Sequence, residues 1–147
     1  MNIDASFTFT IIHLVFTCIM VGVIWVMQLV HYPSFHFIDS SRYRSFQNFH
    51  MSRIGFIVGP LMAVELITGA MLLSFYKLSS VYFFSSILLL VGIWFITAIV
   101  FTRIHNKLLN GYNEKLIHDL IRFNWSRTIM WTTRLVLLSF FDGPSSQ

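Results

Sequence analysis

Four runs of largely apolar residues, at positions 9–30, 54–75, 81–102 and 124–141, divide the chain, and its charged residues collect between them. A helix rises about 1.5 Å per residue and the hydrocarbon core of a bilayer is about 30 Å thick, so each run is long enough to cross with little to spare. The pattern predicts an all-α, integral membrane four-helix bundle formed by one domain, 1–147. The last run is the weakest of the four, because Arg127 and Arg134 interrupt it.

The connections differ in kind. Residues 32–53 open on Pro33 and hold Asp39, Ser40, Ser41, Arg42 and Arg44, which predicts a loop leading into a preliminary helical turn. Residues 77–80 are few enough to make the second and third runs an antiparallel hairpin. Residues 105–123 place Leu108, Leu109, Leu116, Ile117, Leu120 and Ile121 among charges, with Gly111 as an interruption; this is the pattern of an amphipathic helix lying in the membrane interface. Gly55 and Gly59 form a small-xxx-small pair that lets a neighbouring helix come close, and Pro60 predicts a local bend. The 142–147 tail reads as frayed, and there is no internal repeat.

Composition agrees with the pattern. The 147 residues are 56% hydrophobic and 11% charged, with a mean hydropathy of +0.71, whereas soluble domains carry roughly 25% charged residues. Four spans of about 20 residues leave no room for a separate soluble domain. Charge then orients the bundle. Arg42, Arg44, Arg53, Arg103, Lys107, Lys115, Arg122 and Arg127 all fall on the side of the two long connections, against Lys77 on the other. The positive-inside rule makes the long-connection side cytoplasmic and puts both termini on the non-cytoplasmic side. The net charge of +4 does not imply nucleic acid as a partner, because the basic residues border apolar runs, where the lipid bilayer accounts for them. Cys18, the single cysteine, excludes an intrachain disulfide and is expected as a small packed side chain. The N-terminus lacks the basic region and cleavage site of a secretory signal, so the first run is expected to be a retained span.

Polar groups inside the spans carry the candidate chemistry. Glu65 lies near the middle of the second run, where an ionised carboxylate costs at least ~2.5 kcal/mol and requires a partner or a proton. Counted from Arg53 and Asn124, Glu65 and Arg134 reach similar depths of ~15–18 Å, so they can meet if their helices are neighbours. Such a pair locks the fourth helix into the bundle, or it forms a proton or anion site; the sequence leaves both open. Arg127, Trp131 and Arg134 share one helical face, which must turn away from lipid. Arg127 lies near enough to the edge to be satisfied by snorkelling. His31, His50 and His105 end or precede three different spans at one level on the cytoplasmic side, a topology from which bundles build iron, zinc or haem sites, although interfacial histidines are also common without one. His13 stands eighteen residues, five whole turns, before His31, and so is expected on the same inward face with Thr17 and near Gln28. It is a candidate haem ligand, proton carrier or packed polar residue.

Read together, Trp25-x-x-Gln28-x-x-His31-Tyr32-Pro33, His50-x-x-Arg53, Gly59-Pro60-x-Met62-x-x-Glu65, His105-x-x-Leu108 with Gly111, and Asn124-Trp125-x-Arg127-Thr128-x-x-Trp131-Thr132-x-Arg134 resemble a family of small uncharacterised bacterial four-helix membrane proteins. The resemblance extends over nearly the whole chain and implies a multi-pass protein of the bacterial inner membrane, with these positions as its functional or architectural core. The chain is more distantly similar to the anthrone-oxygenase-like membrane domains, which would imply oxidation of an aromatic or quinol-like substrate. It is also distantly similar to the HemJ-type protoporphyrinogen oxidases through His13 and Pro60-Leu61-Met62, which would imply haem, although the lysine of that group's third span is missing.

Three functions follow as expectations. The first is a membrane oxidoreductase holding haem or a transition metal, iron or zinc, on His31, His50 and His105. In it Arg127 and Asn124 orient an anionic or carbonyl-bearing hydrophobic small molecule, Glu65 and Arg134 tune charge, and His13, Gln28 and Trp131 complete the cofactor surroundings. The second is a small transporter or binding module that works as a homo-oligomer. The third is an accessory structural subunit. Nucleophilic hydrolysis and nucleotide binding lack their constellations.

Overall fold

In the computed structural model, which describes residues 3–76 and 80–141 and side chains from residue 5 onward, the described elements are helical throughout. Helix α1 (Ile3–Val26) passes without a break into a π turn, Met27–His31, and on through Tyr32–Ser34 and Phe35–Phe37. Helix α2 is Tyr43–Tyr76. Helix α3 (Val81–Ile96) is prolonged by a second π turn, Thr97–Phe101, and by a foot, Thr102–Leu108; α4 is Glu114–Ser139. Side-chain caps start the last two: the Phe83 N–H donates to Ser80 Oγ at 3.4 Å and the Leu116 N–H to Asn113 Oδ1 at 3.0 Å. Gly111, at φ 135°, makes the turn between the foot of α3 and α4, in a region that L side chains rarely enter.

Three rods, Ala5–Phe37, Tyr43–Tyr76 and Val81–Leu108, are long and apolar enough to cross a membrane. Their outer faces carry exposed Phe7, Val15, Phe56, Ile67, Leu88 and Phe95, a surface suited to acyl chains rather than water. Helix α4 falls short on composition because exposed charges such as Glu114, Lys115 and Arg122 crowd its first turns and because its inner face is also polar: Asn124, Arg127, Thr128 and Arg134 are buried beside Leu120, Trp131 and Leu138. It is the hub, packing along α1 and α3, while α1 packs along α2. Two apolar layers result, one around Met20, Leu90, Ile93 and Trp131, the other around Phe35, Tyr43, Leu108 and Leu120.

Several expectations change. Most of residues 32–53 is helical, not loop: α2 begins at Tyr43, and the segment joining it to the end of the first rod is short. The reason is the buried stripe Tyr43, Gln47 and His50, at helical spacing, which packs against the end of α1 and the foot of α3. The amphipathic stretch expected as a separate interfacial helix is divided between the foot of α3 and the first turns of α4, where Ile117 and Leu120 continue the stripe that runs on to Asn124 and Arg127. Helix α2 continues through Pro60. Cys18 is exposed, not packed. The hairpin turn at Lys77 and the 142–147 tail lie outside the described residues.

Gly55 and Gly59 do not seat a neighbouring helix: a Cβ built on either meets nothing within 4 Å. The close approach of α2 to α3 is instead at Gly69, where a Cβ would come within 2.9 Å of Ile87 Cδ1 and 3.4 Å of His13 Cε1. Replacing Gly55 or Gly59 by Ala should therefore preserve or raise stability, by up to ~1 kcal/mol of helix propensity. Gly69→Leu should lose about 1–3 kcal/mol through overpacking. Chemical unfolding in mild detergent measures the contrast, and equal losses at all three glycines would refute this packing.

Candidate functional site

Two polar layers lie inside the bundle. In the deeper one Arg134 Nη2 donates to Glu65 Oε2 at 2.8 Å, and Thr17 Oγ1 donates to Glu65 Oε1 at 2.7 Å, so both carboxylate oxygens are engaged. Arg134 Nε donates to the Ser86 carbonyl at 3.1 Å, and its guanidinium stands 4.8 Å from the Trp131 ring centre. Arg134 Nη2 also donates to His13 Nε2 at 3.1 Å. That makes Nε2 the acceptor, so Nδ1 carries the proton and donates to Thr68 Oγ1 at 2.8 Å. The ring is then neutral, and its 3.6 Å approach to Glu65 Oε2 is not an ion pair. Glu65, Arg134, His13, Thr17 and Thr68 are all buried. The layer ties four helices together: Thr17 and His13 from α1, Glu65 and Thr68 from α2, Ser86 from α3 and Arg134 from α4.

The second layer sits where the two π turns fall. A π turn adds a residue to the helical count, so the five-turn relation between His13 and His31 fails: the buried stripe of the first rod shifts to Gln28, Tyr32 and Phe35, and His31 is left half-buried. His31 nevertheless meets His50, their Nε2 and Nδ1 atoms 2.8 Å apart with the rings at 4.7 Å. The His50 ring stands 5.3 Å from that of His105. Gln47 Nε2 donates to His105 Nδ1 at 3.0 Å, and the other nitrogen, Nε2, lies 3.4 Å from the Tyr32 hydroxyl. The three imidazoles expected from separate helices therefore stand in file. Among the described residues, no group of three or more His, Cys, Asp or Glu is arranged to hold a metal ion.

Arg127 is 5% exposed, with its guanidinium 4.5 Å from the Phe101 ring centre and hydrogen-bonded to the Tyr32 hydroxyl. Its Nε has no partner, and among the described residues no carboxylate stands within ion-pair distance of it. Snorkelling to water does not account for it.

Arg127, Tyr32 and His105 close one end of a cavity of about 270 Å³. Helices α2 and α3 meet at Gly69 above and at the foot of α3 below, and the cavity lies between these contacts as a lateral cleft floored by α1. Its walls are otherwise almost wholly apolar, from Met51 and Gly55 to Met62 on α2, and Trp94 and Phe101 on the α3 rod. Gly55 and Gly59, with no side chain, keep it open on the α2 side.

The remaining candidates hold helices together and do not line the cleft. Asn124 Nδ2 donates to Gln28 Oε1 at 2.9 Å, and Gln28 Nε2 donates to the Ile121 carbonyl at 3.3 Å, joining α4 to the π turn of the first rod. Trp131 packs beneath Arg134, and His13 belongs to the deep layer. Tyr32, Gln47 and the cleft itself escaped the sequence reading. Gln47 and His50, three residues apart, were legible as one face only once the helix was known to begin at Tyr43.

No family model matches the chain, and no curated protein or solved structure matches it closely, so its chemistry rests on its own geometry.

Glu65→Leu or Arg134→Met alone should each cost about 3–5 kcal/mol, because the surviving charge is left buried and unpaired. The double variant should recover most of that loss. Unfolding midpoints of the three variants in one detergent measure it, and strictly additive losses would show that the pair is not the source.

Proposed function

We propose that the protein is a four-span protein of the bacterial inner membrane whose lateral cleft binds a bilayer-dissolved hydrophobic molecule with an acidic or carbonyl head, of the aromatic or quinol-like class. The observation that carries this reading is Arg127, a buried cation with no carboxylate partner among the described residues, at the closed end of an apolar cleft. A cation in that position favours an oxygen-bearing, anionic or strongly polarised head, while the methionine, glycine and aromatic walls suit a flat or slender body. Entry is from the side, out of the lipid, between α2 and α3. Helix α4 is the fourth span in this reading, supported by its hub position and by a length of 26 residues. The eight cations of the long connections support a cytoplasmic placement for the His31, His50 and His105 level and an outward placement for both termini.

Haem and metal require a separate test of fit. A cavity of about 270 Å³, at the small end of ligand sites, has room for a slender body but is narrow for a macrocycle. Of the three imidazoles only His105 lines it, and both nitrogens of that ring already face partners. Two imidazole nitrogens bound at ~2.0–2.1 Å to one tetrahedral metal stand about 3.3 Å apart. The 2.8 Å between His31 and His50 fits a shared proton instead. The residues as placed do not fit either group. An absorption spectrum and elemental analysis of the purified protein should give no Soret band and no stoichiometric iron or zinc; either signal would replace this reading with the metal-centred one.

Binding can be measured with a 2-hydroxy-3-alkyl-1,4-naphthoquinone, a coloured weak acid of the proposed class. Arg127→Met should weaken it about 10- to 100-fold, the worth of a charge-assisted hydrogen bond of ~1.5–3 kcal/mol. Gly59→Trp should abolish binding by filling the cleft, whereas Gly59→Ala should bind as the parent does. Indifference of the affinity to both Arg127→Met and Gly59→Trp would place the ligand elsewhere or nowhere.

A further inference from the structure

The imidazoles connect two places that matter to an acidic ligand. His31 is half-buried near the end of the first rod, which runs on into a connection with Asp39 and Ser40 exposed. Its Nε2 shares a hydrogen bond with His50 Nδ1, and the remaining nitrogen of His50, Nε2, is buried without a partner. The next ring, 5.3 Å on, is His105, which lines the cleft beside Tyr32 and Arg127. Phe35 and Phe46 wall the file at 5.2 Å and 6.5 Å from the His31 ring, so it has apolar sides and polar ends. The polar groups facing it are Tyr32 from the first rod, Gln47 from α2 and Arg127 from α4. Among the described residues no carboxylate is within ion-pair distance of any of the three rings, so no fixed anion traps a proton on them.

We infer that His31, His50 and His105 are a proton file joining the aqueous edge of the bundle to the head of the cleft, through which a weakly acidic bound ligand exchanges its proton with bulk water. The inference rests on the cleft reading above. The ligand's O–H bond breaks, the electron pair stays on its oxygen as an anion beside Arg127, and the proton passes to His105 Nε2, which is free to accept it once the Gln47 amide turns over so that its unpartnered Oε1, not its Nε2, faces Nδ1. The proton continues through His50 and His31 to water. Between His105 and His50 the hand-over uses one water or a ring rotation, since no direct hydrogen bond joins them. Arg127 favours the outward direction, because its charge opposes a proton resting on the neighbouring ring. An imidazole suits the work, having one nitrogen that donates and one that accepts.

The naphthoquinone probe changes colour when it ionises, so stopped-flow pH jumps on the bound complex read the exchange rate directly. His50→Phe should slow ionisation of the bound probe at least about 100-fold, the lower end of the range typical of positioned proton carriers, with Kd unchanged. His31→Ala should slow it too, and free imidazole in the buffer should restore the rate, an effect that a purely structural role would not produce. Should His50→Phe fail to fold, His31→Ala and its rescue carry the test. Unchanged rates in variants that still bind would overturn the proton file and leave the cleft reading intact, whereas absence of probe binding to the parent protein would overturn both.

Discussion

A guanidinium and a carboxylate in hydrocarbon must find each other, and in this protein the requirement fixes the bundle. Arg134 reaches Glu65 at 2.8 Å only if α2 and α4 both face the centre, and Thr17 of α1 and the Ser86 carbonyl of α3 take up further hydrogen bonds of the pair. One ion pair thus sets the rotation of four helices. A buried pair is weak evidence for net stability, since desolvation offsets much of the attraction. Its contribution is specificity: any other rotation of α4 leaves a bare charge in lipid. The charge–aromatic contact with Trp131 and the neutral His13 tautomer are consequences of the same packing.

The second layer is built on the opposite condition. Arg127 is also buried but has no carboxylate within ion-pair distance among the described residues, and the space in front of it is a cleft rather than a partner helix. The contrast between two arginines seven residues apart on one face of α4 is the clearest functional signal in the molecule. One is neutralised within the fold, and the other has no carboxylate within ion-pair distance among the described residues. The π turns serve this layer. By shifting the register of the first rod and of α3 at one level, they bring Tyr32 and Phe101 to Arg127 while leaving His31 at the edge.

Much of this was legible beforehand where the rule is local. The depth count that pairs Glu65 with Arg134 depends only on helical rise, and the convergence of His31, His50 and His105 depends only on which ends of which helices share a level. The errors came where that regularity breaks. Five-turn spacing placed His13 and His31 on one face, and the π turn between them moved the second off it. The Gly55 and Gly59 pair carries a signature of helix contact, yet side chains elsewhere, chiefly Ile87 against Gly69, hold α3 away from it.

The sequence by itself determined that this chain is helical, which segments are long and apolar enough to cross a membrane, and which charges could not face acyl chains, because length and hydropathy are properties of each segment alone. Only the tertiary structure decided which arginine is ion-paired among the described residues and which is not, that α2 and α3 part to form a cleft, and that the imidazoles stand in file rather than around a common point. Those outcomes depend on helix rotation and on two single-residue register shifts, which arise from packing among segments and leave no trace in the composition of any one of them.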